Sequence, residues 1–358
     1  MDLTQLHRQA GHWLRNRGPD ADVVISTRVR LARNLVRSPF PTRASQEQKD
    51  EVREQLSQVL AELRHGKRDL WINLPETSDA DRELLRERHL ISREHAEGDK
   101  HGRSVVFSKG EILTVMINEE DHLRIQVVRA GLQLKRAFRV VGLIDERIGR
   151  KVEYAFHDRF GYLTSCPTNT GTALRAGVML HLPALMSLRH IEKVMQAAQK
   201  MGMVVRGAYG EGSKPHGHFF QISNQVTLGK SEDQLIEDLT RLVRKVVEYE
   251  RQMRKVMLKE QRSKSEDRIL RSFGILKSAR MVTLEEGMSH LSDLRLGIVL
   301  GMISDVPIEA VNELFVLIQP AHLQRVLGLE IEGEELDRQR AEFIRSRLTQ
   351  AQPSNGSA

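Results

Sequence analysis

The sequence predicts an α+β fold built on an antiparallel sheet, and three observations predict it. Short β-rich runs, SVVFS (104–108), EILTVMIN (111–118) and LRIQVV (123–128), follow one another across the tight breaks KG and EEDH, as antiparallel strands do. Helical and strand-like stretches interleave without a repeating βαβ pattern, which argues against a parallel sheet. Beyond the densely charged stretch RKVMLKEQRSKSEDRIL (254–270), every periodic segment reads as helix.

Taken in order, residues 45–65 form an amphipathic helix. Ser45 and Gln48 fit a capping box, Val52, Leu56, Val59, Leu60 and Leu63 share a face, and Gly66 ends it. Residues 79–102 are so charged that they read as helix followed by exposed loop. After the three strands, helix returns near 131–150. Strands follow near 152–157 and 172–182, then around MVVRGAY (203–209) and GHFFQISN (217–224), before a long helix at 231–260. The charged stretch marks a boundary, giving one unit over 1–258, a helical unit over 259–348 and a disordered tail over 349–358.

Length and composition narrow the function. A chain of 358 residues suits two domains. No apolar run approaches the roughly 20 residues of a membrane span, and MDLTQLHRQAGHW lacks a signal peptide's apolar centre, so a cytoplasmic location is expected. The single cysteine, Cys166, excludes an internal disulfide and a cysteine-rich zinc site. A net charge of +7 admits anionic partners. An aromatic content of 4% is thin for stacking on single-stranded bases, and no direct nucleic-acid binding is expected.

Familiar nucleotide signatures fail. GAYGEGSK (207–214) has glycines at P-loop distance but no lysine where the phosphates would need it. The pair His216 and His218 is a weak metal motif, and no protein metal site is expected. Other stretches carry more chemistry. STRVR (26–30) sets Arg28 and Arg30 two apart, on one face of a strand, where two guanidiniums repel unless an anion lies between them. NEEDHLR (118–124) places three carboxylates at a strand end with Arg124 behind them. RGAYGE (206–211) carries Arg206 and Glu211 on a glycine-rich loop. CPTNTGTALRA (166–176) combines the lone thiol with small polar residues and Arg175. Each also has a plain reading as surface ion pair, acidic turn or flexible loop. Together they supply forked cations and loop-tip carboxylates, parts suited to phosphate clamping and proton handling.

Those four motifs, in that order and spacing, resemble the phosphagen kinases, the creatine and arginine kinases, over about residues 20–255. The family's helical N-terminal domain has no counterpart, and the helical C-terminal region is foreign to it. That architecture resembles the bacterial protein arginine kinases of the McsB type. The resemblance implies a phosphagen-kinase-like catalytic domain, a central antiparallel sheet flanked by helices, with an all-helical C-terminal domain for protein contacts and dimerisation. It implies ATP-dependent phosphorylation of protein arginines with Mg²⁺. It further implies marking of proteins for a Clp protease, inactivation of a CtsR-type repressor, and a McsA-type zinc activator. By the same resemblance Glu120 is the base, Glu211 its partner, and Cys166 lies against the guanidinium. Arg28, Arg30, Arg124, Arg175 and Arg206 grip the phosphates, and His89 sits near the adenine. LDRQRA (336–341) is similar to a phosphoarginine-binding motif through Asp337 and Arg340, with Leu336 where that motif has arginine. A kinase for free arginine and a non-catalytic phosphoarginine reader remain the rival readings.

Overall fold

Alternation along VISTRVRLAR gives strand β1, Val24–Arg33, two working faces: Val29 and Leu31 point one way, Arg28 and Arg30 the other. The computed structural model describes residue 6 and residues 11–63, 69–207 and 216–351. Among these, eight strands form one sheet in the order β2-β3-β4-β5-β1-β8-β10-β9, antiparallel throughout. The others are β2 (Asp69–Asn73), β3 (Ser104–Ser108), β4 (Leu113–Ile117), β5 (Leu123–Ala130), β8 (Leu174–His181), β9 (Met203–Gly207) and β10 (Phe219–Asn224). A separate two-residue hairpin pairs β6 (Phe156–His157) with β7 (Gly161–Tyr162), so the strand expected at 152–157 is only two residues long.

The back face is covered by helices α1 (Gln46–Leu63), α4 (Leu134–Gly149) and α7 (Glu232–Glu260), which close one apolar core over Val29, Ile125, Val178 and Ile222. The capping box of α1 forms as expected: Ser45 Oγ accepts from Gln48 N, and Gln48 Oε1 from Ser45 N. Short helices α5 (Pro183–Ser187) and α6 (Ile191–Lys200) join β8 to β9.

Among the described residues, helices cover the front face at two places. Over β2–β4, helices α2 (Asp79–Glu87) and α3 (Arg93–Ala96) bury Leu85, Leu90 and Ile91 against Val105, Phe107 and Met116. The helix expected in the 79–102 stretch forms and residues 97–99 are exposed, but the segment from Glu87 to Ala96, with a second short helix, is largely buried rather than an exposed loop. Glu87, Arg88 and His95 are buried because their partners come from elsewhere: Glu111 for Arg88, the Ser104 carbonyl for His95, and the backbone N–H groups of Ala321 and His322 for Glu87.

At the other end lie the C-terminal helices α8 (Arg262–Ser278), α9 (Leu284–Val299), α10 (Ile308–Leu317), α11 (Pro320–Leu327) and α12 (Gly333–Gln350). Their core includes Ile25, Val128, Met179 and Phe219 of the sheet, and Phe219 meets Phe315 edge-on at 4.6 Å. Arg295 of α9 is fully buried. It donates to the Ala21 and Asp22 carbonyls just ahead of β1 and to Asn312, which itself reaches the Leu14 carbonyl. The helical region thus completes the sheet's own core. Helix α7 runs past 258 to Glu260 before the chain bends at Gln261, and α12 continues to Gln350, into the stretch expected as tail. Residues 352–358 lie outside the described residues.

Candidate active site

Strand register places all five sequence-predicted arginines on the uncovered middle of the front face. Arg30 stands opposite Arg175 on β8 and Gln126 on β5; Arg124 is opposite Ala32; Arg206 is opposite Gln221; Arg28 is two residues from Arg30, opposite Gly177. Gly177 keeps the floor open between them, since a Cβ there would come within 2.9 Å of Gln221 Nε2. Arg30, Arg124, Arg175 and Arg206 line a cleft of about 510 Å³ together with Ser92, Glu94, Arg103, Glu119, Glu120 and Asn169.

Like charges at such spacing are costly. Burial, then Arg124, Arg28 and Arg175, drive the Arg30 pKa well below its ordinary value, and Arg30 Nε finds no hydrogen-bond partner among the described residues. An anion with several oxygens would satisfy that donor and turn mutual repulsion into shared attraction. The donor set therefore fits a polyphosphate.

At one end of the cleft the NEEDH turn supplies the carboxylate. Asn118 takes a positive φ of 55° and holds the Lys49 and Gly102 carbonyls through Nδ2. Glu119 is buried and bonded to Arg124 and Ser92. Burial pushes its pKa up, but Arg124 and the Ser92 hydroxyl outweigh that and leave it below the usual carboxylate range. Asp121 Oδ1 accepts from Asn34 Nδ2 at 2.6 Å and from Ser165 N at 2.7 Å, tying this turn to the loop that carries Cys166. His122 is buried beneath it. Only Glu120 keeps a partly open side chain, 35% exposed. Burial, then Asp121, raises its pKa, and Asn169 Nδ2 approaches Oε2 at 3.4 Å.

The Cys166 loop is held as firmly. Thr227 Oγ1 donates to the carbonyls of Thr168 and Thr170, and Gly171, at φ 119°, lies so close to Thr227 that a Cβ would meet its carbonyl at 2.3 Å. Cys166 is half-buried, its Sγ 2.9 Å from Thr168 Oγ1. His89 follows α2 with φ 59°, its ring 5.7 Å from that of Trp13. Burial, then Arg28, lowers its pKa to about 3, so it is neutral at physiological pH. Glu211 lies outside the described residues.

The structure keeps Asp337 and Arg340 away from this cleft, on α12. Arg340 is buried, with Nε on the Ile318 carbonyl and Nη1 on the Val282 carbonyl and on Asp337 itself. The two residues pair with each other, Arg340 within the helical core and Asp337 at its edge with its side chain 25% exposed.

Sequence reasoning singled out Glu120 and passed over Glu119, Asp121, Asn34 and Thr227. Asn34 and Asp121 are 87 residues apart, and only the neighbouring carboxylates in NEEDH hinted at a scaffold.

Two family models match the chain: the ATP:guanido phosphotransferase C-terminal catalytic domain over residues 51–253, and the protein-arginine kinase McsB C-terminal domain over 262–358. The protein-arginine kinase of Halothermothrix orenii is 44% identical over 96% of this chain and 98% of its own length. That of Bacillus subtilis is 43% identical over 94% and 93%. Among solved structures, a duplicated taurocyamine kinase from Schistosoma mansoni with bound transition-state-analogue components superposes with a TM-score of 0.58 at 28% identity, over 73% of this chain and 36% of that one. Lombricine kinase, at 23% identity and a TM-score of 0.58 over 70% of each chain, shares the fold.

Proposed function

The chain belongs to the protein-arginine kinases, enzymes that phosphorylate arginine with ATP, and from that premise we propose how its residues divide the work. Arg28, Arg30, Arg124, Arg175 and Arg206 hold the ATP phosphates. Mg²⁺ would ride on the phosphate oxygens and neutralise part of their charge. His89, neutral beside Trp13, lies toward the adenine end.

The acceptor guanidinium is a poor nucleophile, protonated and delocalised. As its nitrogen bonds to the γ-phosphorus, the bond from phosphorus to the β-bridging oxygen breaks and one N–H proton must leave. Glu120 takes that proton, and its raised pKa makes it a stronger base than an ordinary carboxylate. Asn169 orients Glu120, Cys166 lies against the guanidinium, and Glu211 is the second carboxylate. The transferring phosphoryl spreads negative charge over its oxygens, where the arginine forks already point.

The observation that carries this reading is one cleft lined by Arg30, Arg124, Arg175 and Arg206, with Arg28 two residues from Arg30 on the same strand face and the partly open carboxylate of Glu120 in the same cleft. The protein-level reading adds that the substrates are proteins with exposed arginines, among them a CtsR-type repressor, and that the modification marks proteins for a Clp ATPase and protease. A McsA-type zinc protein is the activator, and a cytoplasmic homodimer the working form. Phosphoarginine binding at Asp337 and Arg340 would require the ligand to displace their mutual ion pair.

The test is labelled ATP with an arginine-bearing protein, with free arginine alongside. Label should enter the protein preferentially and leave in mild acid, as a P–N bond does. Glu120→Gln should cut kcat by roughly 10²–10⁴ with ATP affinity nearly unchanged. Acid-stable label on serine, threonine or tyrosine would overturn the reading.

A further inference from the structure

The cleft carries a second crowding of like charge, around the NEEDH turn, where Glu120 lies 3.8 Å from Arg124. Glu94, exposed on α3, lines the cleft with Glu120 and makes no ion pair or side-chain hydrogen bond among the described residues. Its position is not left to chance. Ser92 caps α3 through His95 N at 3.1 Å and donates to Glu119, so the front of the helix is fixed to the NEEDH turn. Arg103 Nη1 takes the carbonyls of Glu94 and Glu97, each at 2.7 Å, and the buried His95 ring faces the Ser104 carbonyl at 3.1 Å. A four-residue helix is thus held at both ends, with Glu94 as the side chain it presents to the cleft.

The geometry points to Glu94 as a specificity residue for the acceptor: a carboxylate that, with Glu120, brackets the incoming guanidinium and selects it by charge. This assignment rests on the arginine-kinase reading above. Two carboxylates facing one space repel each other, and Glu94 raises the cost of ionising Glu120. A guanidinium between them removes that cost, as a polyphosphate does for the crowded arginines. The cleft would then carry two separate electrostatic demands, one met by the donor and one by the acceptor.

The groups facing Glu120 are Glu119 and Asp121 on its own turn, Arg124 on β5 and Glu94 on α3, with Arg103, which holds the end of α3, lining the same cleft. Arg124 favours the ionised form of Glu120, whereas Glu94, Glu119 and Asp121 disfavour it. Neutralising Glu94 removes one repulsion, so the Glu120 pKa falls.

The experiment compares full-length wild type, Glu94→Gln and Glu94→Asp with ATP and an arginine-containing peptide. Glu94→Gln should raise the acceptor KM by about 2–5-fold, an ion-pair-sized effect, with the ATP KM unchanged. It should also move the acid limb of kcat/KM to lower pH, because that limb reports Glu120 in the free enzyme. Glu94→Asp should recover much of both. An acceptor KM and acid limb unmoved in Glu94→Gln would overturn the assignment. Failure of the underlying reading looks different: wild type would leave no acid-labile label on the peptide's arginine.

Discussion

At His122 the two ring nitrogens have opposite duties. Nδ1 accepts from Leu35 N at 3.0 Å, and Nε2 faces the Pro39 carbonyl at 3.0 Å, so the partners select the neutral ring with its proton on Nε2. A second proton on Nδ1 would cost the Leu35 bond inside a buried site. Burial lowers the folded pKa to about 4, against about 6.5 in the unfolded chain. The unfolded state therefore takes up a proton first as pH falls. Stability is full above about 6.5 and is lost progressively toward 4, by up to roughly 3 kcal/mol from this one group. Urea midpoints should drop between pH 7.5 and 5, and His122→Gln should flatten that dependence while lowering stability at pH 7.5. Residues such as this one mark the limit of what sequence conveyed. Arginines two apart on a strand and a carboxylate at a strand end are local patterns; the arginines lie on one face of β1, and Arg30 and Glu120 line the same cleft. His122, Asp121 and Glu87 act through partners 44 to 235 positions away, which no spacing rule reaches.

Among the elements, the loop from Ser165 to Gly171 depends most on its neighbours. It is bound to the NEEDH turn through Asp121 and to the segment after β10 through Thr227. Gly171→Ala would place a Cβ 2.3 Å from the Thr227 carbonyl at a φ of 119° that alanine resists. The loop must shift, carrying Asn169 away from Glu120. We expect kcat to fall at least tenfold, since small misplacements of reacting groups are that costly, with far-UV circular dichroism unchanged. A kcat within a factor of two of wild type would show that the loop tolerates the displacement. Periodicity placed the strands and long helices well. It placed the helix at the start of the 79–102 stretch but misjudged the burial of residues 87–96, because charge density is a guide to exposure only when the charges have no buried partners waiting. Arg88 and Glu111, both buried, satisfy each other there.

For the whole molecule, the shared front-face core means the catalytic sheet cannot be separated from the C-terminal helices. Cutting after Gln261 would bare Ile25, Val128, Met179 and Phe219 and remove Arg295 from the carbonyls ahead of β1. The fragment 1–261 should be insoluble or expose dye-binding apolar surface, whereas the intact chain should melt in one calorimetric transition. Two separated transitions, or a soluble active fragment, would contradict this. The same contact has a consequence during synthesis. Ala21 and Asp22 leave the ribosome more than 270 residues before Arg295, and Leu14 almost 300 before Asn312. The sheet's front face therefore stays uncovered through most of translation, at a stage when apolar surface invites aggregation. A translational pause placed after α7 should lengthen that exposure and increase the chain's dependence on chaperones, while a pause after α12 should not.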